Sequence, residues 1–141
     1  MEEKKSQYCS CLYHSANALS RIMTKISDEE FSKIGLGSSH AFLVMTVNAK
    51  QGVQPKEISA QMQLTASTVT RLIEKMEYRG YLRRESCGRT TKVYSTEEGL
   101  ALQIKLKEIW KRLYDRYASL LGKQEADKLT ADIYNAALKL E

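Results

Sequence analysis

Leu64-Thr65-Ala66-Ser67-Thr68-Val69-Thr70-Arg71-Leu72-Ile73-Glu74-Lys75-Met76 is the stretch that decides how this chain reads. Val69, Leu72, Ile73 and Met76 stand at i, i+3, i+4 and i+7, which lines one face of a helix with apolar side chains. Ser67, Thr68, Thr70 and Arg71 fall off that stripe, near the start of the helix. Thr65 is the expected N-cap, because its hydroxyl can accept from an orphan backbone N–H. Two readings fit these residues. One is an ordinary amphipathic helix with a solvated polar face. The other is a helix that offers short hydroxyls and a guanidinium to the base edges and phosphates of a DNA major groove. The flanking sequence favours the second.

Immediately upstream, Pro55 suits the first position of a short helix, Lys56–Met62, with Ile58 and Met62 apolar. Gln63-Leu64-Thr65 then makes a tight turn, and helix, three-residue turn, helix is helix-turn-helix spacing. Downstream, Gly80 ends the helix and the period falls to about two. Tyr81–Glu85 and Thr91–Ser95 can pair as an antiparallel hairpin around the loop Ser86–Thr90, with Gly88 free to take a positive φ. Ser95 and Glu98 have capping-box spacing, and a long helix is expected from there to about Leu121. Gly122 breaks it. A last helix, Lys123–Leu140, carries Ala126, Leu129, Ile133, Ala136, Ala137 and Leu140 on one stripe.

Toward the N-terminus, Tyr8 to about Ser32 reads as a long helix, with Tyr8, Leu12, Leu19, Met23 and Ile26 close to heptad spacing. Gly35-Leu36-Gly37 interrupts it. Ser38 or Ser39 is then the expected cap of a helix from His40 to about Lys50, apolar nearly all round and therefore central and buried.

At 141 residues the chain can bury one domain or two small lobes sharing a core, and its 43% hydrophobic and 28% charged content is ordinary for a soluble globular protein. The longest apolar run, Ala41–Met45, is far too short for a bilayer. Met1–Gln7 is polar, with no cleavable signal pattern, so a cytoplasmic protein without membrane partners is expected. Of the net charge of +5, most lies in residues 65–92, where seven cations face three anions, the footprint of a polyanion-binding surface. Cys9, Cys11 and Cys87 fit no disulfide framework and are expected to be thiols. There is no Gly-rich phosphate loop, no metal-ligand cluster and no nucleophile paired with a base. The reading is therefore not an enzyme, with no cofactor and no metal.

The order long helix, buried helix, helix-turn-helix, two-stranded wing and two closing helices resembles the MarR family of bacterial winged-helix regulators. The resemblance covers nearly the whole chain. It is most specific in Ile58–Met62, Ser67–Leu72, Glu74–Arg84 and Ser95–Gly99. The fold class expected is mainly α with a small β-wing: a winged helix-turn-helix plus long N- and C-terminal dimerisation helices. Residues 1–36 and 122–141 would form the dimerisation helices, 37–98 the DNA-binding lobe, and 99–121 the helix linking them. The resemblance implies a homodimer of roughly triangular shape. From the residues alone, the terminal stripes are also too long for one chain to cover, with Leu12, Leu19, Leu129, Ile133 and Leu140 as expected interface positions. The family's wing is usually longer and holds an Asp-Arg pair at its base. Here Arg89 matches the wing Arg and is expected in the minor groove, but no Asp precedes it.

A sequence-specific double-stranded DNA-binding transcriptional regulator is thus expected, a repressor relieved by a small ligand or oxidant. Two recognition helices related by a twofold would read a near-palindromic operator with half-sites ~10 bp apart. Arg71 is the candidate for a guanine or phosphate contact, and Ser67, Thr68 and Thr70 for bases or phosphates. Lys56, Gln61, Arg84 and Lys92 are candidates for holding the phosphate backbone. The competing reading is a winged-helix module that binds protein or RNA and has no DNA operator.

For the signal, Cys9-Ser10-Cys11-Leu12-Tyr13 resembles the Cys-x-x-Leu-Tyr of the organic-hydroperoxide-sensing branch, with Cys9 in the reactive position. The tyrosines that branch uses to hold the thiolate have no counterpart in Met23 or Ser38–Phe42. Two readings stand: Cys9 as a redox sensor, or Cys9 and Cys11 as buried structural thiols. By the resemblance, a small-molecule effector would sit in a cleft between the dimer helices and the DNA-binding lobe. His14, Asn17, His40, Phe42 and Trp110 are its candidate lining, each of which also reads as simple packing.

Overall fold

The computed structural model describes residues 5–141; residues 1–4, the start of the polar stretch read for a signal, lie outside the described residues. Its helices and strands are α1 (Leu12–Phe31), α2 (Ser38–Ala49), α3 (Pro55–Met62), α4 (Ala66–Tyr78), β1 (Leu82–Cys87), β2 (Thr90–Ser95), α5 (Glu97–Ala101), α6 (Gln103–Leu121) and α7 (Lys123–Leu140), with a 3-10 turn at Ser32–Ile34. The fold is mainly α with a small two-stranded wing. Among the described residues no helix is long and apolar enough to cross a membrane.

α2 is apolar nearly all round and takes contacts from α1, α3, α4, α5, α6 and β2. Its Ala41, Leu43, Val44, Met45 and Val47 are buried. They share one core with Phe31, Ile58, the α4 stripe Val69, Ile73 and Met76, the strand residues Leu82 and Val93, and Leu106, Ile109 and Leu113 of α6. Beside that core Arg116 of α6 reaches back to α1, meeting Glu29 at 2.8 Å and Glu30 at 3.0 Å. The two strands pair antiparallel, Leu82 opposite Ser95 and Cys87 opposite Thr90. A third segment joins them at Val53, which bridges Val93.

Several sequence expectations are corrected. α1 begins at Leu12, not Tyr8; Tyr8–Ser10 form turns in which the Cys9 and Cys11 amides donate to the Ser6 and Tyr8 carbonyls. Polar and β-preferring residues without a side-chain cap do not extend the helix there. Neither Ser38 nor Ser39 caps α2. Asp28 of α1 does so from across the break, accepting from the Ser38 amide at 2.9 Å and the Ser38 hydroxyl at 2.6 Å. The N-cap after the wing is Thr96, which accepts from the Gly99 amide at 3.2 Å, rather than Ser95. The expected single helix to Leu121 is two, α5 and α6, meeting at Leu102.

Two predictions arise here. A Cβ at Gly99 would collide with the Tyr81 carbonyl oxygen, a backbone atom that cannot move aside. Gly99→Ala should therefore lower unfolding stability by about 1–3 kcal/mol or more, read by urea melts. Asp28→Ala should cost about 1 kcal/mol, the usual loss on removing a cap. The Ser38 hydroxyl and amide hold the Asp28 carboxyl below its ordinary value of 3.8. Its contribution is thus full above that value and lost as pH falls through the lower folded one, so wild type and variant should converge in strong acid.

Candidate nucleic-acid interface

α4 is held so that its first turns face outward. The turn before it closes with Gln63 in the left-handed region at φ 55°. Ser59 ties that turn from both sides, accepting the Leu64 amide on its carbonyl at 3.2 Å and donating its hydroxyl to the Leu64 carbonyl at 2.9 Å. Thr65 caps the helix by accepting from the Thr68 amide at 3.4 Å, while its hydroxyl donates to the Thr68 hydroxyl at 2.9 Å. With Val69, Ile73 and Met76 buried, Ser67, Thr70 and Arg71 are exposed and Thr68 is half-buried. The Thr70 hydroxyl donates back to the Ala66 carbonyl at 3.0 Å, which leaves it only lone pairs to offer outward.

The seven cations of residues 65–92 divide in two. Arg79 donates to the Gly35 carbonyl at 2.9 Å and lies over the Tyr81 ring. Arg83 pairs with Glu85 and stacks on Tyr94 at 4.5 Å from the ring centre. Arg84 meets Glu77 at 2.8 Å. Arg71, Lys75, Arg89 and Lys92 have no ion-pair partner among the described residues. These four are the charges open to a polyanion, and sequence alone does not separate them from the three that hold the fold. Lys56 is exposed and equally unpaired, whereas Gln61 lines a groove beside α2 and α6.

The wing is a tighter hairpin than expected. The strands run to Cys87 and Thr90, so Gly88 and Arg89 alone make the turn. Gly88 has φ 64°, which places glycine at the first central position as a type II′ turn requires. Arg89 stands exposed at the tip. Behind the wing, the Gly52 amide donates to the Val93 carbonyl at 2.8 Å and the Val93 amide to the Val53 carbonyl at 2.9 Å. Buried Ser95 donates its hydroxyl to Asn48, and its amide to Gln51 at 2.8 Å. Asn48 in turn donates to Gln103 at 2.8 Å, so the base of the wing is bonded to α2 and α6.

Two hollows flank α2. One, of about 580 Å³, lies among α1, α2, α6 and α7 and is lined by Met23, Phe42, Leu113 and Tyr117 among others. The second, of about 870 Å³, lies among α2, α3 and α6. Phe42 and Trp110 line both and pack edge to face, with ring centres 6.2 Å apart. The other expected lining residues are elsewhere. His14 lies against Tyr8, and Asn17 donates to the Tyr13 carbonyl at 2.7 Å. His40 sits toward α4, where burial, then Lys75 and Arg79, hold its pKa below the usual value. Gln103 and Lys107 line the larger hollow and were missed, although their i, i+4, i+7 spacing with Trp110 marks one face of α6.

All three cysteines are exposed, so Cys9 and Cys11 are not buried structural thiols in the single chain. No group of three or more metal-ligating side chains occurs among the described residues. Leu12, Leu129, Ile133 and Leu140 are exposed and Leu19 is half-buried; Leu120, Tyr134 and Leu138 extend the same uncovered character.

A family model described as the MarR family matches residues 34–90. The HTH-type transcriptional regulator PapX of Escherichia coli is 29% identical over 109 residues, covering 66% of this chain and 66% of that protein, just under two thirds of its length. Among solved structures, the transcriptional repressor CouR bound to a 23-mer DNA duplex superposes with a TM-score of 0.84 at 18% identity, over 97% of this chain and 99% of that one. The PcaV transcriptional regulator from Streptomyces coelicolor, in complex with its natural ligand, gives 0.84 at 17% identity over 99% and 100%. At these identities the likeness is one of fold.

Proposed function

We propose that this chain is a member of the MarR family, whose model matches residues 34–90, and that it is a homodimeric, sequence-specific regulator of transcription that binds double-stranded DNA, and not an enzyme. Residues 1–36 and 122–141 form its dimerisation unit, 37–98 the DNA-binding lobe and 99–121, the end of α5 together with α6, the link between them. The observation that carries this reading is the outward face of α4, where Ser67 and Arg71 stand exposed above a buried stripe. Arg89 and Lys92 lie on the adjacent wing. Arg71 reads a base or phosphate in the major groove with Ser67, Thr68 and Thr70 around it, and Arg89 enters the minor groove. Lys56, Gln61 and Lys92 hold the backbone. The operator is a near-palindrome, and the protein works in the cytoplasm.

The uncovered apolar residues of α1 and α7 supply the dimer contact. As a repressor the protein is relieved by a small ligand held against Phe42 and Trp110, or by oxidation of the exposed Cys9 thiol. Selection of duplex fragments by the purified protein, followed by titration at several salt concentrations, tests the reading. A preferred near-palindrome with salt-dependent affinity is expected. Indifference to duplex DNA at low salt, or a preference for RNA, would overturn it.

A further inference from the structure

Resting on the DNA-binding reading, we infer that Glu77 is a positioning residue that fixes the wing at a set angle to α4 through Arg84, and that Arg84 is a strut, not a phosphate contact. Alternate residues of a strand share a face. Leu82 is buried in the core, so Arg84, two residues on, also faces inward, while Arg83 on the other face pairs with Glu85 and stacks on Tyr94. Inward of Arg84 stands the last turn of α4, and Glu77 there meets its guanidinium at 2.8 Å. The two side chains are 36% and 27% exposed, so the pair is partly withdrawn from water and less screened than a rim pair. A cation beside a helix C-terminus also sits well with the helix dipole.

The position of this pair in the ribbon matters most. Arg84 is the register partner of Val93, and Val93 is the residue that bridges Val53. One rung of the hairpin is therefore clamped on both sides, by an ion pair to α4 on one strand and by backbone hydrogen bonds to the α2–α3 connection on the other. Outward of that rung the side-chain bonds among the described residues stay inside the wing: Glu85 with Arg83, and Thr90 with the Cys87 carbonyl. A two-stranded ribbon is marginal by itself. From the rung to the tip is a lever of ~13 Å, so a tilt of ~10° moves Arg89 by roughly 2 Å, enough to break a hydrogen bond to a groove edge. Arg84 thus works from inside, and Glu77 holds it there.

Cys87, exposed at the end of β1, reports on the tip directly. With Cys9→Ser and Cys11→Ser in place, a nitroxide on Cys87 should become more mobile in Glu77→Gln and in Arg84→Gln, with no DNA present. On a selected operator each variant should lose about tenfold in affinity as Arg89 loses its seat. The double variant should be no weaker than either single one, and the slope of affinity against salt should not change. Unchanged nitroxide mobility would overturn the inference. So would a slope reduced by about one per protomer in Arg84→Gln, or tighter binding by Glu77→Gln, since either makes Arg84 a phosphate ligand. Should the wild-type protein ignore duplex DNA, the functional reading fails, and the mobility measurement alone decides the strut.

Discussion

Replacing Arg71 by Ala is expected to weaken operator binding by about 1–3 kcal/mol per half-site, and by about 2–6 kcal/mol for a dimer on two half-sites. The geometry explains why this residue outweighs its neighbours. Thr68 is half-buried and bonded to the Thr65 cap, and the Thr70 hydroxyl donates to its own helix. Ser67 is short. Arg71 alone on this face combines length, a fork of donors and freedom from any ion pair among the described residues. Fluorescence anisotropy on a selected operator and on single-base variants of it checks the prediction at fixed salt. A guanine contact shows as loss of discrimination at one base pair of each half-site. Equal loss on every duplex, with a shallower salt slope, makes Arg71 a phosphate contact instead.

Ile133→Glu should have the larger effect on assembly. Ile133 stands midway along α7 and is 49% exposed, with Leu129 a turn before it and Leu140 two turns after. Across a twofold, each new carboxylate enters an apolar contact and faces its own copy, so both desolvation and like-charge repulsion act. In solution the mass should fall from a dimer to the 16.1 kDa of one chain. Operator affinity should drop about 10²–10⁴-fold, because a lone protomer loses the effective concentration that the second half-site supplies. Helicity should survive, since Ile133 is outside the buried core of the single chain. A variant that stays dimeric would move the interface away from α7.

The fold was legible where one residue type has one job. Pro55 opens α3, Thr65 caps α4, and the apolar middle of α2 is buried; each local preference agrees with its surroundings. The two capping errors share a cause, which is a partner remote in sequence. Ser38 looks like a cap until Asp28, ten residues back, takes the role. Ser95 looks like one until Asn48 and Gln51 claim it for the base of the wing. The site was read to the same depth. The outward hydroxyls of α4 follow from the helical period. Which arginines are already occupied does not, because Glu77, Gly35 and Tyr94 are neighbours only after folding. Phe42 and Trp110 meet, while His14, Asn17 and His40, expected beside them as polar or aromatic residues near the cleft the resemblance implies, face other neighbours.

The two-residue tip of the wing has a thermodynamic consequence. A long glycine-rich loop must surrender many conformations when it settles into a groove, and complex formation then bears that entropy. Gly88 and Arg89 have little to surrender, because the turn type and the bridged strand behind them already set the backbone. On the proposed DNA-binding reading, encounter with a duplex would begin from a shape close to the final one. Different target sequences should then be told apart by how long the complex lives, far more than by how fast it forms.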